Sequence, residues 1–544
     1  IADAVYGLSH LFSGGPDPSA PFDACGTDPT QPFALSCNSY PPCAGATGID
    51  LAGHVLRRIA YGPTPDLLEY VQDIGAEAYI AEQLDPDSID ESTNGDLNGI
   101  VNTLLPETNR NDLYKLHIAR GLYSDKQLLE QLTDFWNVHF NTYYWVLRNH
   151  FWFELNGAYN NSEAQVEATR LEYTESETFR SLALGSFEDL LIASATSPAM
   201  LIYLDSDNNI VGNANENYAR ELMELHTLDV DVVYNQDDIR AVAKCFTGWT
   251  LRKKAPADYG DPFAPALPDN DPTGIWSFHF EPANHDYTEK TIFAGTIYEF
   301  TIPAGDSVGN PNAGIDDGFA VIAFLSDMQE TAEFISRKLI QKFVSDDVPP
   351  ALLAACLGTW FSTDGDMLSV MTTILNSPEF LGNEYRWDKI DTPMESILSK
   401  VRGFGGYTTG QVVVNVLADL NHLPHNFSTP DGFPEVDLLG THKLLYRIQF
   451  NTRTYNNSDP DYDFTALLTD AGVTLDDVDA VVDHLMALLF QSNFTAADRA
   501  KAIAYLETDE SGVSTPLDPL DPSYDQRIRQ LAAFLASYPQ SLQQ

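Results

Sequence analysis

Residues 203–250 read YLDSDNNIVGNANENYARELMELHTLDVDVVYNQDDIRAVAKCFTGWT, and the fold is decided here. An acidic, Asn-rich loop leads into a helical pattern that carries Glu221, Glu224 and His226. A second amphipathic pattern over 236–247 follows, with Ile239, Val242, Ala243 and Phe246 on one face, ending at Thr247-Gly-Trp-Thr250. Apolar residues recurring every three or four positions mark helices. Polar groups set among them need partners, because an unpaired polar group in a dry interior is costly.

Working outward, the same period recurs. Segment 128–140 shows Leu128, Leu132, Phe135 and His139, and segment 331–344 shows Ile335, Leu339 and Phe343. Thr64-Pro65 is a helix start, a Thr cap followed by Pro at the first helical position. Ser186/Asp189, Thr392/Glu395, Thr474/Asp477 and Thr495/Asp498 have capping-box spacing, in which the two side chains satisfy free backbone N–H groups. Strand signals are few: Trp276–Phe280, and a hairpin-like piece over 291–302. The expectation is a mainly α protein, a large multi-helix body with a small β-hairpin insertion and an irregular N-terminal arm. The expected parts are a Cys-containing arm over 1–47, a main helical body over 48–402 with the insertion near 252–317, and an irregular segment plus C-terminal helical lobe over 403–544. Long loops such as 252–275 are often functional.

Composition narrows the partners. Against 30 Lys and Arg stand 79 Asp and Glu, a net charge of −49. Such a surface repels nucleic acid and anionic membranes, and suits divalent cations, basic partners or a salty medium. No run approaches the roughly 18 apolar residues of a membrane helix. The chain starts at Ile1, for which a removed secretion signal is the simplest reading. Cys25, Cys37 and Cys43 do not have zinc-finger spacing, and a disulfide within that arm is expected of an exported protein. Cys245 and Cys356 read as small core residues or as partners of the third arm cysteine.

Several blocks together carry a family resemblance. They are His54-Val-Leu-Arg-Arg58, Asp134-Phe-Trp-Asn-Val-His-Phe140, Ser197-Pro-Ala-Met-Leu-Ile-Tyr-Leu-Asp205, the run Asn215–Leu228, Thr247-Gly-Trp-Thr250 and His285-Asp286 with Lys290. The chain resembles the family of domain of unknown function 1800 from about residue 50 to 540. That resemblance implies a mostly bacterial, often exported protein, and brings no established reaction. Asp229 replaces the Gly usual in the central motif, and the Trp that many members carry after Thr429-Pro-Asp-Gly-Phe-Pro-Glu435 is absent.

Candidate chemistry falls in two groups. Asp205, Asp207, Asn209, Val211, Asn213 and Glu216 follow the spacing of a calcium loop, although Ile210 stands where that loop needs Gly; the bland reading is a turn that caps the next helix. The metal expectation therefore rests on Asp205, Asp207, Asn209 and Glu216, with calcium as the ion. On a regular helix Glu221 and Glu224 share a face, while His226 points elsewhere. His139, Glu221, Glu224, His226, His285 and Asp286 would make a transition-metal or acid/base site if they converge. Otherwise they are paired core groups. His422-Leu-Pro-His425 reads as a loop, and the aromatics 143–153 as core and helix ends. Two functions stay open. One is an exported metal-binding protein, with a His/Glu site for an extracellular substrate. The other is a surface or matrix assembly protein, held by calcium and arm contacts between copies or with another extracellular protein.

Overall fold

Thr64 sets the first clear helix start: its hydroxyl accepts the Leu67 N–H, and Pro65 opens the helix Pro65–Ile74. The computed structural model describes residues 48–155, 157–230, 233–433, 441–455, 459–508 and 513–544. The expected arm and its Cys25, Cys37 and Cys43 lie outside them. The fold is mainly α-helical, with two small two-stranded antiparallel sheets among the described residues. Helices appear where the period asked for them: Gln127–His139, Gln236–Cys245 and Gln329–Phe343. Capping boxes form at Thr392 and Thr495. At Thr474 the expected box does not form, because Asp477 itself is the cap of Val478–Phe490. Ser186 caps its helix without a side-chain hydrogen bond.

The strand Ile275–Phe280 pairs with Trp249–Lys254, so the Thr-Gly-Trp-Thr motif turns out of a helix and directly into a strand. Gly248 makes that turn possible: its φ is +85°, and a Cβ would sit 2.7 Å from the Glu281 carbonyl oxygen. Lys290–Ile292 pairs with Phe300–Ile302, as the hairpin-like pattern suggested.

The largest hydrophobic cluster draws on residues from Ala52 to Ala536. Two long helices organise the part that matters for chemistry. Gln127–His139 buries Leu128, Leu132 and Trp136 fully, and the Trp136 indole donates to the Ala183 carbonyl at 3.0 Å. Asn161–Leu182 packs against it and against Phe187–Thr196. Its buried stripe runs Ala164, Ala168, Leu171, Glu175, Phe179, with Glu172 beside it. Steps of three and four keep these residues on one face, and three carboxylates of this helix, Glu167, Glu172 and Glu175, are buried. Cys245 and Cys356 are buried in helices and form no disulfide among the described residues. No helix among the described residues is long and apolar enough to cross a membrane.

Candidate functional site

The central motif is not one regular helix. Asn217–Glu221 is α-helical, but Leu222–Thr227 is a π-turn, in which the Thr227 hydroxyl donates to the Leu222 carbonyl at 2.6 Å. The regular-helix placement of His226 is corrected accordingly, since π-turns widen the helix and re-aim the residues after them. Glu221 and Glu224 stay on a half-buried face, where Arg220 pairs with Glu224 at 3.4 Å. Burial, then the charge of Glu224, raises the Glu221 carboxyl.

His226 meets His139 in the core. The His139 Nε2 lies 3.2 Å from the His226 carbonyl oxygen, and its Nδ1 lies 2.8 Å from the Lys338 ammonium. An ammonium can only donate, so Nδ1 holds the lone pair and Nε2–H donates to the carbonyl. Burial, then Lys338, keeps His139 well below its ordinary range, and burial pushes His226 down to about 3. Both imidazoles are neutral parts of an aromatic cluster with Phe135, Phe140 and Phe334.

His285 and Asp286 belong to the β insertion. The His285 Nδ1 is 2.7 Å from the Thr247 carbonyl oxygen, and its Nε2 is 3.2 Å from Asp317, which also takes Lys290 at 2.5 Å. Burial pushes the Asp317 carboxyl up, but His285 and Lys290 outweigh it and hold it below the usual range. Asp286 closes a local turn by accepting the Thr288 N–H and hydroxyl, while its own N–H donates to the Thr247 hydroxyl. The six sequence-derived candidates thus divide into three places.

The loop at 205–216 also divides. The Asn209 side chain donates to the Ala243 carbonyl and accepts the Asn215 N–H, and Glu216 pairs with Arg220 and Arg240. Asp205, at φ +55°, and Asp207 instead share their surroundings with Glu154 and His150. Burial, then the charges of Asp205 and Glu154, pushes Asp207 up to about 7. Among the described residues, no three His, Cys, Asp or Glu side chains are arranged to hold a metal ion.

The carboxylates that the sequence reading passed over come closest to a site. Glu172 and Glu175 are 2 % and 6 % exposed, and both approach the hydroxyl of Thr142, at 3.2 and 2.8 Å. One hydroxyl proton cannot serve two carboxylates. A proton on Glu175 resolves the contact: Glu175 donates to Thr142, and Thr142 donates to Glu172. Burial, then the charge of Glu172, pushes Glu175 up to about 8, against the hydroxyls of Ser197 and Thr142. Two close carboxylates in a dry place cannot both ionise cheaply. Behind Glu172 stands His425, with Nδ1 3.6 Å from its Oε2. Next to that ring lie His117 and then Asp134, the latter 3.3 Å from the His117 Nε2. Asn141 fixes the segment that carries His425 by donating to the carbonyls of Phe427 and Thr429 at 3.0 and 2.8 Å. Gly432 lets that segment close, since a Cβ there would lie 2.7 Å from the Val138 carbonyl oxygen. Glu172 Oε1, Glu175 Oε1 and His425 Nε2 have no hydrogen-bond partner among the described residues.

Glu175 borders a cavity of about 180 Å³, walled by Arg170, Phe179, Thr196, Tyr259 and Trp276 among others. Tyr259 comes from the Pro/Asp-rich segment between the strands Trp249–Lys254 and Ile275–Phe280, and its phenol is raised by burial and then by Glu175. A profile described as a protein of unknown function (DUF1800) matches residues 54–540. The chain belongs to the DUF1800 family. No curated protein and no solved structure matches it. Of the family motifs in this DUF1800 chain, Asp134–Phe140 leads directly into Asn141 and Thr142, which hold His425 and the glutamates in place.

Proposed function

We propose that the protein is an enzyme that uses Glu175 as a general acid toward a small substrate held in the adjoining cavity. The observation that carries this reading is a buried carboxyl that keeps its proton to about pH 8 at the wall of a cavity. A pair of titratable groups whose surroundings push their protons apart is a recurrent acid/base device. Thr142 links Glu175 to Glu172, the second carboxylate of the pair. We also propose that the protein acts after export, since a net charge of −49 suits a saline outside medium. The test is a hydrolysis and elimination screen on uncharged small substrates with the wild type and Glu175→Gln. Turnover should fall by about 10²–10⁴-fold in the variant and decline above pH 8 in the wild type; unchanged turnover in the variant rejects the role.

A second reading concerns Asp205 and Asp207. Burial first, and then the charges of Asp205 and Glu154, raise Asp207; a divalent cation drawn to Asp205 and Asp207, with water completing its shell, would relieve the charge part, and hard cations favour such oxygens. Millimolar calcium should then raise the melting temperature of the wild type and leave Asp207→Asn unmoved. Equal melting curves with calcium and with chelator would remove the cation from this loop.

A further inference from the structure

Glu172 and Glu175 lie three positions apart on one helix and share the Thr142 hydroxyl, so the helix itself makes them near equivalents. They differ in use. Glu175 lines the cavity, and Glu172 is not among its wall residues. An acid that acts in the cavity needs the proton of the pair on Glu175, and something outside the helix must break the tie.

His425 supplies the asymmetry. Its Nδ1 stands 3.6 Å from Glu172 Oε2, a distance for charge rather than for a hydrogen bond. Its Nε2 is buried without a partner among the described residues. An imidazole nitrogen sits well against a carboxylate only as N–H. The ring therefore turns the positive end of an N–H bond, or a full positive charge when protonated, toward Glu172. Around Glu175 the charged neighbour is Glu172 itself, with the hydroxyls of Ser197 and Thr142. Behind His425 the His117 ring stands edge-on at 5.8 Å, its Nε2 3.3 Å from Asp134, so two rings lie between two carboxylates. Positive charge beside one carboxylate favours its charged form and leaves the proton to the other. The chain holds His425 there against its backbone preference. Its φ is +57°, uncommon outside glycine, and such strain persists where surrounding contacts over-determine it. Asn141 donates to the Phe427 and Thr429 carbonyls and Tyr203 to the Ser428 carbonyl. We infer that His425 is the positioning residue of the proposed acid: from behind Glu172 it assigns the shared proton to Glu175, at the cavity. This rests on the general-acid reading above.

The test is carboxyl NMR of glutamate-labelled full chain through a pH titration, with Glu172→Gln and Glu175→Gln to assign the two signals. In the wild type the step near pH 8 should belong to Glu175. His425→Asn suits the backbone and removes the imidazole. In it, about half or more of that step should pass from Glu175 to Glu172, because coupled groups share their titration steps when nothing distinguishes them. His425→Gly serves the same purpose if the first variant does not fold. Loosened packing alone would bring both carboxyls back toward their ordinary range together, without a reciprocal change. The inference is overturned if both fall together, or if Glu175 alone keeps the step in the variant. The two failures are separate. An unmoved variant beside a wild-type step near pH 8 rejects the role of His425 and keeps the acid, whereas a wild-type Glu175 that titrates in the ordinary carboxylate range rejects the acid and the inference with it.

Discussion

One group of histidine and carboxylate sits at the β insertion and another between the long helices. At the insertion, both nitrogens of His285 face acceptors, Lys290 is paired, and Asp317 serves both. At the helices, Glu172, Glu175 and His425 each leave one buried atom without a partner among the described residues, and a cavity lies alongside. Buried polar groups are nearly always satisfied, and an exception calls for a reason. The difference separates a fully paired lock from the group that carries the proposed function. A fully paired group holds two elements together, while a group with unmet demand beside open space is prepared to meet something else.

The comparison breaks first at the lock. Asp317→Ala leaves the buried Lys290 ammonium without its carboxylate, and removing one partner of a buried pair costs about 3–5 kcal/mol. Chemical denaturation should show that loss; a loss below about 1 kcal/mol would deny the lock its role, because exposed pairs cost that little. Next comes the pH profile of stability. Glu175 is raised from 4.5 to about 8, so its contribution is complete below the unfolded value and is lost as pH climbs to 8. The wild type should lose roughly 2–4 kcal/mol over that range relative to Glu175→Gln, at most about 1.4 per pH unit. His226 has the opposite sign. It is depressed to about 3, so its contribution is present above about pH 6.5 and lost as pH falls. His226→Phe should flatten the acid limb, and parallel limbs in wild type and variant would show that neither burial is felt. The smallest effect is Thr142→Val, about 2 kcal/mol for the two hydrogen bonds of its hydroxyl, read by thermal melting; a loss near zero would mean that the hydroxyl does not join the two glutamates.

Much of the scaffold was legible, because helix period and caps are local. Thr64, Thr392 and Thr495 cap the helices they were expected to cap, and Trp276–Phe280 is a strand. The site was not. His139, Glu221, Glu224, His226, His285 and Asp286 looked like one constellation, yet their partners, Lys338 and Asp317 above all, come from distant chain positions. The π-turn at Leu222–Thr227 also lacks a local sequence signal of its own. The signal for the proposed Glu175 site was present and passed over. Glu175 falls on the apolar stripe between Leu171 and Phe179, where an acid is out of place unless something holds its proton. His425 could not be found that way, since contacts from residues far off in the chain, Asn141 and Tyr203, bring its loop to Glu172.

Carboxyl-labelled glutamate followed by NMR through a pH titration, with Glu175→Gln to assign the signal, addresses the working site directly. Glu175 should titrate near pH 8, and Thr142→Val, which removes the hydroxyl between the two glutamates, should shift it. A Glu175 signal that titrates in the ordinary carboxylate range, indifferent to Thr142, would contradict the reading of this site as a stored proton.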